Sequence, residues 1–414
     1  MLAWMLARLR QNGATTAARV IPLRWTDHRP LFTAMPAYNH IYVTIKVTLK
    51  CNLACQYCYG RDNHVQGEEM TEEDARRALD FTCEYAQKVQ AKSITLCWHG
   101  GEPFLFIRRL PALMDYANAV FGRCGIKVEH GTQTNATLLT PPTFDTIKKY
   151  FDGYIGVSVD LHSRYRTFAN GTVSTDLAIR NIDNALNAGI RCGAINLITH
   201  DNLGRIDDIY LFYKVRGMNV RLSRVFPIGK DDDLKSGMYV SDEEFAGAMI
   251  RYFDLWANDK DPANNTDIVK LVSDLLLGQP SLCLREANCH KRYMAMAPKG
   301  EIYSCAEFDV PDSVIGNFLT QSVDEFIASD ARERIARMAP VPESCHACRY
   351  ERTCHGGCFR DRFMMGYPYR CKSSVIYCDH VVEWLEKKGA SLYALHGKNR
   401  DEQREIMRQV FKMS

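Results

Sequence analysis

Three cysteines stand at x3 and x2 spacing in Cys51-Asn-Leu-Ala-Cys55-Gln-Tyr57-Cys58, directly after the strand-like run 41–49. Three thiolates this close in sequence can hold three irons of a four-iron, four-sulfur (4Fe–4S) cluster. The fourth iron is then open to a non-protein ligand. A structural cluster takes four cysteines, so an open position points to chemistry. Further along, Trp98-His99-Gly100-Gly101-Glu102-Pro103 follows a second strand-like run. Paired glycines let a backbone come close to a ligand, because no Cβ intervenes.

A second cysteine set lies in the last third of the chain. It runs Cys283-x5-Cys289-x15-Cys305, then Cys345-x2-Cys348-x5-Cys354-x3-Cys358, then Cys371 and Cys378. Nine cysteines in 96 residues, with much glycine and weak periodicity, cannot build a large apolar core. Something other than a core must hold such a segment together. By spacing alone it is either a pair of structural zincs or a pair of iron–sulfur clusters. The other four cysteines, Cys83, Cys97, Cys124 and Cys192, read as small buried apolar residues, with a substrate contact as the minor reading for Cys97.

The elements that must position these groups alternate. Strands are expected at 41–49, 93–98, 127–133, 154–159, 192–199 and 219–226. Helices are expected at 75–87 (capped by Thr71), 109–121, 142–150, 175–188, 203–216 and 242–258. Six such units predict an α/β fold, a partial TIM-like (β/α)6 barrel with ligands at the carboxyl ends of its strands. A polar break near 260 and a short helix at 266–277 precede the cysteine-rich part. The expected division is therefore an N-terminal extension at 1–40, the barrel at 41–260, a cysteine-rich domain of little regular structure at 261–380 and a C-terminal helical segment at 381–414. With 414 residues and a net charge of +3, the chain shows no basic stripe for nucleic acid. No run reaches the roughly 18 apolar residues of a membrane span. The opening 26 residues carry four arginines and no acid; they read as an N-terminal helix rather than a transit leader. A reduced, cytoplasmic setting is expected.

The Cys-x3-Cys-x2-Cys string, with an aromatic before its last cysteine, resembles the radical S-adenosylmethionine (radical SAM) enzymes. The second set, with Gly300-Glu-Ile-Tyr-Ser-Cys305 and Cys354-His-Gly-Gly-Cys358, resembles their SPASM domain. The resemblance implies three 4Fe–4S clusters: one that binds SAM through Cys51, Cys55 and Cys58, and two auxiliary ones. The first auxiliary cluster would take Cys283, Cys289, Cys305 and Cys358. The second would take Cys345, Cys348, Cys354 and Cys371, with Cys378 as the alternative last ligand. Gly100, Gly101 and Glu102 are implied contacts of the SAM amino group, and Tyr57 of its adenine. Gln133 and Asn135 fall near the ribose, and Ser158, Asp160 and Arg166 complete the implied pocket. Asn196 is a weaker candidate.

The layout resembles the anaerobic sulfatase-maturating enzymes, which oxidise a Cys or Ser of a protein to formylglycine. That group carries an aspartate directly after the third cysteine of the first auxiliary cluster. Here the position is Ala306, so the base is not carried over; the nearest acids are Glu307 and Asp309. The resemblance implies hydrogen abstraction from a residue of a peptide or protein, ending in a crosslink, an epimerisation or a side-chain oxidation. Alternatives are oxidation of a small-molecule alcohol, formylglycine formation, and a non-catalytic electron carrier. Implied partners are that substrate, a reductant such as flavodoxin or ferredoxin, and a separate leader-recognition protein.

Overall fold

The computed structural model describes residues 39–60, 67–226, 237–286, 289–307 and 310–411. The expected N-terminal helix and Asp309 lie outside them. Six parallel strands form the barrel wall: β1 (His40–Thr48), β2 (Ser93–Gly100), β3 (Lys127–Thr134), β4 (Tyr154–Ser158), β5 (Arg191–Ile198) and β6 (Asn219–Arg224). Each pairs with the next in sequence order. Between them run α1 (Glu72–Lys88), α2 (Leu110–Arg123), α3 (Pro141–Tyr150), α4 (Thr175–Asn187) and α5 (Ile206–Val215), followed after β6 by α6 (Asp242–Asn258).

Side-chain alternation explains the layering. In β1, Ile41, Val43, Ile45 and Val47 are all buried, on the face opposite His40, Tyr42 and Thr44. β2 repeats the pattern with Ile94, Leu96 and Trp98. A period of two gives each strand one face for the helices and one for the barrel interior. α1 answers with a buried stripe that includes Ala75, Leu79, Tyr85 and Ala86. Its start is where the sequence puts it: the Thr71 hydroxyl accepts the Asp74 N–H. The expected helix at 203–216 instead opens with a 3-10 turn, Leu203–Arg205, before α5.

The cysteine-rich part holds more regular structure than its composition suggests. After α7 (Thr266–Leu277) come three strands, β7 (Tyr293–Met296), β8 (Glu301–Tyr303) and β9 (Val314–Asn317). β7 pairs parallel with β1, so one nine-stranded sheet runs from the barrel into this part; β8 and β9 are antiparallel. The Tyr42 and Tyr293 rings stack across that seam at 4.7 Å. Short helices follow: α8 (Val323–Ala328), α9 (Ala331–Met338), α10 (Glu351–Cys354) and α11 (Phe359–Met365). Two more, α12 (Cys371–Lys387) and α13 (Arg400–Phe411), end the described chain. The expected boundary at 380/381 falls inside α12, because Val381, Val382 and Leu385 continue the buried stripe of Tyr377 and Cys378. That stripe meets α6, where the Phe253 ring takes edge contacts from Tyr377 at 6.2 Å and Trp384 at 5.4 Å. Among the described residues no helix is long and apolar enough to cross a membrane.

Leu96 is fully buried on β2, between β1 and β3. Leu96→Ala should cost about 2–5 kcal/mol, seen as a lower midpoint in urea unfolding with an unchanged slope.

Candidate active site

Parallel pairing brings the carboxyl ends of β1 to β6 to one rim. β1 and β2 leave that rim almost in contact. The Gly101 N–H donates to the Thr48 carbonyl and the Glu102 N–H to the Lys50 carbonyl, both at 2.8 Å. A Cβ on Gly100 would lie 1.9 Å from the Thr48 oxygen, and its φ of +144° is open only to glycine. A Cβ on Gly101 would lie 2.2 Å from the Lys50 oxygen. The room left by the missing side chains is filled by the chain itself. What the glycines admit is the segment that leads into Cys51.

Glu102 completes this clamp. It is fully buried; Oε1 accepts the Phe104 N–H at 2.9 Å and the Thr134 hydroxyl at 2.7 Å, and Oε2 accepts the Asn135 N–H at 2.7 Å. Burial pushes its carboxyl up from the usual value, and these donors pull against that. The carboxylate therefore ties the exit of β2 to the exit of β3. Asn135 carries the connection onward: its amide donates to Asn52 Oδ1 at 2.9 Å and reaches Cys51 Sγ at 3.8 Å. The Leu53 N–H points at the same sulfur from 3.4 Å. Spacing in the sequence carried no sign of this Asn135–Cys51 contact.

On its other side the cysteine loop is pinned to the segment after β4. The Ala54 and Gln56 N–H groups donate to the carbonyls of Thr167 and Tyr165 at 2.7 and 3.0 Å. That segment presents Arg166, whose Nη1 donates to the Tyr57 hydroxyl at 2.8 Å and lies 3.7 Å from Asp160 Oδ2. The Tyr57 hydroxyl in turn donates to Asp160, whose other oxygen accepts the Leu197 N–H at 2.8 Å. Arg166 and Asp160 are buried, and Arg166 Nε has no partner within the described chain. Burial opposes the charge of Arg166, while Tyr57, Cys55 and Asp160 favour it and hold it a cation. Burial also raises the Tyr57 hydroxyl well above its usual value. Gln133 and Ser158 meet at 2.9 Å on the neighbouring strand ends. Asn196 is turned inward: its Oδ1 accepts the Leu161 N–H and the Tyr213 hydroxyl, both at 3.1 Å. It shapes the loop after β4.

The loop thiols are costly to ionise unaided. Burial pushes Cys51 up to about 12, and Glu102, Cys55 and Cys58 add to the rise; burial also raises Cys55. A cationic metal body reverses that balance. The second set shows the same economy in two groups. Burial raises Cys289, and Cys305, Cys358 and Cys283 act on it next. Burial likewise raises Cys371, with Cys345 and Cys348 following, and Cys354, with Cys378, Cys371 and Cys345 among its charged neighbours. Cys345, Cys348, Cys354, Cys358, Cys371 and Cys378 all line a cavity of about 260 Å³ between β6 and α12. Among the described residues no three His, Cys, Asp or Glu side chains converge as they would on a single ion. A cubane cluster spreads its thiolates further apart than one ion does. The thiol of Cys97, on β2, is pushed up to about 12 by burial alone.

Glu307 lies near the rim. Its carboxylate pairs with buried Arg360 at 3.0 Å. More than half of its side chain is exposed, so burial does little to raise it, and Arg360, Arg370, Arg221 and His99 hold it below the usual carboxylate range. Arg360 and Arg221 are rim groups that no sequence pattern marked.

Residues 45–213 match the family model described as the Radical SAM superfamily, and residues 283–349 match SPASM, an iron-sulfur cluster-binding domain. This chain is a radical SAM enzyme with a SPASM domain. These two domains imply the binding of SAM and of iron–sulfur clusters. The SPASM match ends before Cys354, Cys358 and Cys371. A serine-type anaerobic sulfatase-maturating enzyme of Bacteroides thetaiotaomicron is 26% identical over 399 residues, covering 86% of this chain and 92% of that protein. Mycofactocin maturase MftC of Mycolicibacterium smegmatis is 24% identical over 338 residues, covering 79% and 80%. Among solved structures, native anSMEcpe with bound AdoMet and Cp18Cys peptide superposes with a TM-score of 0.72 at 18% identity, covering 84% of this chain and 98% of the other. That likeness establishes the fold, a partial barrel extended by the SPASM part.

Glu102→Gln would set an amide donor among three donors. It should destabilise the protein by about 1–3 kcal/mol, measured as a shift in the urea midpoint of the apoprotein, before any ligand is added.

Proposed function

We propose that the enzyme uses its Cys51–Cys58 loop to hold a SAM-binding 4Fe–4S cluster and acts on a residue of a peptide or protein. The observation that carries this reading is the double pinning of that loop, to the glycine pair on one side and to the Arg166 segment on the other. It sets three thiols at the rim beside a Tyr57–Asp160–Arg166 triad whose two charged members are buried. When bound, the cluster with SAM supplies a 5′-deoxyadenosyl radical, which takes a hydrogen atom from an unactivated C–H bond. Cys51, Cys55 and Cys58 would hold the cluster. Arg166, with one unpartnered donor, suits the SAM carboxylate. Tyr57, Gln133, Asn135, Ser158 and Asp160 surround the same space, and the backbone at Gly100 and Gly101, with the spare lone pair of Glu102, faces the amino group.

In this reading Cys283, Cys289, Cys305 and Cys358 hold one auxiliary cluster and Cys345, Cys348, Cys354 and Cys371 the other. The two thiol groupings support it, while Cys378, buried and beside Arg285, stays the alternative. Full cysteine ligation suits electron relay. A maturase for a sulfatase and a maturase for mycofactocin among the relatives support a peptide or protein substrate. Glu307 is ionised and could accept a proton from the substrate, though its pairing with Arg360 weakens it as a base. Ala306 at the neighbouring position speaks against formylglycine formation as the outcome. A low-potential donor such as flavodoxin or ferredoxin would supply electrons, and a separate protein could present the substrate's leader.

Anaerobic reconstitution should load about twelve irons, four per cluster, and Cys55→Ala should abolish 5′-deoxyadenosine formation. A count near four irons would remove the auxiliary assignment. Cys348→Ala should keep SAM cleavage but lose product by mass spectrometry with candidate peptides; undiminished product would refute an essential relay.

A further inference from the structure

The loop Cys354-His355-Gly356-Gly357-Cys358 has an uncommon backbone. His355, Gly356 and Gly357 are all left-handed, with φ of +47°, +81° and +75°. Three such residues in succession turn the chain sharply and throw adjacent carbonyls to one side. Both carbonyls of the glycine pair are taken by one group: Arg362 Nη1 donates to Gly356 O at 2.8 Å and to Gly357 O at 2.9 Å. Its Nε donates to Ala339 O, at the end of α9, at 3.0 Å. Arg362 is buried in the first turns of α11, and its own N–H donates to the Cys358 carbonyl at 3.3 Å. The loop it grips divides its cysteines: Cys354 belongs to one thiol group and Cys358 to the other. Burial disfavours the guanidinium charge, and the thiols that act to restore it are Cys358, Cys289, Cys345 and Cys354, two from each group. No carboxylate is paired with it among the described ion pairs, unlike Arg360 and Arg370.

We infer that Arg362 is a positioning residue shared by the two auxiliary clusters, holding the loop between them and placing one positive charge within reach of both. The inference rests on the two-cluster reading proposed above. A fully cysteine-ligated 4Fe–4S cluster is anionic, and its potential follows net charge and nearby donors. A buried cation common to both therefore raises both potentials together and keeps them close, which suits electron exchange. The planar fork of arginine serves Ala339 and the glycine carbonyls at once, while lysine would keep the charge and part of the grip.

The test uses the full chain, reconstituted anaerobically, in a C51A/C55A/C58A background that leaves only auxiliary signals. Iron is counted, and both one-electron potentials are read by EPR-monitored titration. Arg362→Gln is expected to lower both potentials by about 59 mV or more, a tenfold change in the oxidised-to-reduced ratio, or to lose iron from both sites together. Arg362→Lys, which keeps the charge, should hold both within about a threefold change of that ratio. If the glutamine variant does not fold, the lysine variant decides: retained irons and potentials support the shared charge, and loss at one site alone overturns it. A glutamine variant in which neither potential moves, or only one, also overturns the inference. If the unsubstituted chain loads about four irons in place of twelve, the two-cluster reading fails and the inference with it. Twelve irons with unmoved potentials remove the inference alone.

Discussion

The site depends on one close approach of backbone to backbone, between Thr48–Lys50 at the exit of β1 and Gly100–Glu102 at the exit of β2. Two N–H···O bonds of 2.8 Å close it, and no side chain fits at either glycine. From that seam the cysteine loop gains its starting direction. Glu102 spreads the constraint to β3, and Asn135 returns it to the sulfur of Cys51. A loop rich in thiols is otherwise a poor candidate for order, since it buries little apolar surface. Its shape comes from hydrogen bonds to three neighbouring strand exits and to the Tyr165–Thr167 segment.

Electrostatics gives the site its second constraint. Buried thiols resist ionisation, and buried guanidinium groups resist standing alone. The chain places the two kinds of group near each other. Arg166 acts on Cys55 and pairs with Tyr57 and Asp160; Arg285 acts on Cys354 and Cys378; Arg362 lies near Cys358, Cys289, Cys345 and Cys354. These arginines lower the cost of gathering thiolates before any iron arrives. The same placement ties the SPASM part to the barrel, since Arg360 and Arg370 lie against Phe226 just past β6, at 3.7 and 5.8 Å.

Much of this was legible in the residue order because it is local. Thr71 caps α1, the alternation in β1 names its buried face, and the Cys-x3-Cys-x2-Cys spacing marks a cluster loop. The cysteine-rich part was harder to read. Its strands are three or four residues long, too short for a periodic signal, and β7 owes its place to pairing with β1 across more than two hundred residues of chain. Nothing in Gly100-Gly101-Glu102 tells of the three internal donors that Glu102 accepts from. Asn196 was a weak candidate, and its inward turn onto Tyr213 depends on α5 packing behind β5.

By itself the sequence determined what this protein can bind and where along the chain: thiols in a group of three and a group of nine, a glycine pair, six βα units. Those are properties of residue type and short spacing, which need no folding to be seen. Only the tertiary structure decided which cysteines come near one another, why the glycines are required, and which arginines face the sulfurs. These depend on the distances at which separate segments meet, and such distances are set by strand pairing and core packing rather than by any one stretch of chain.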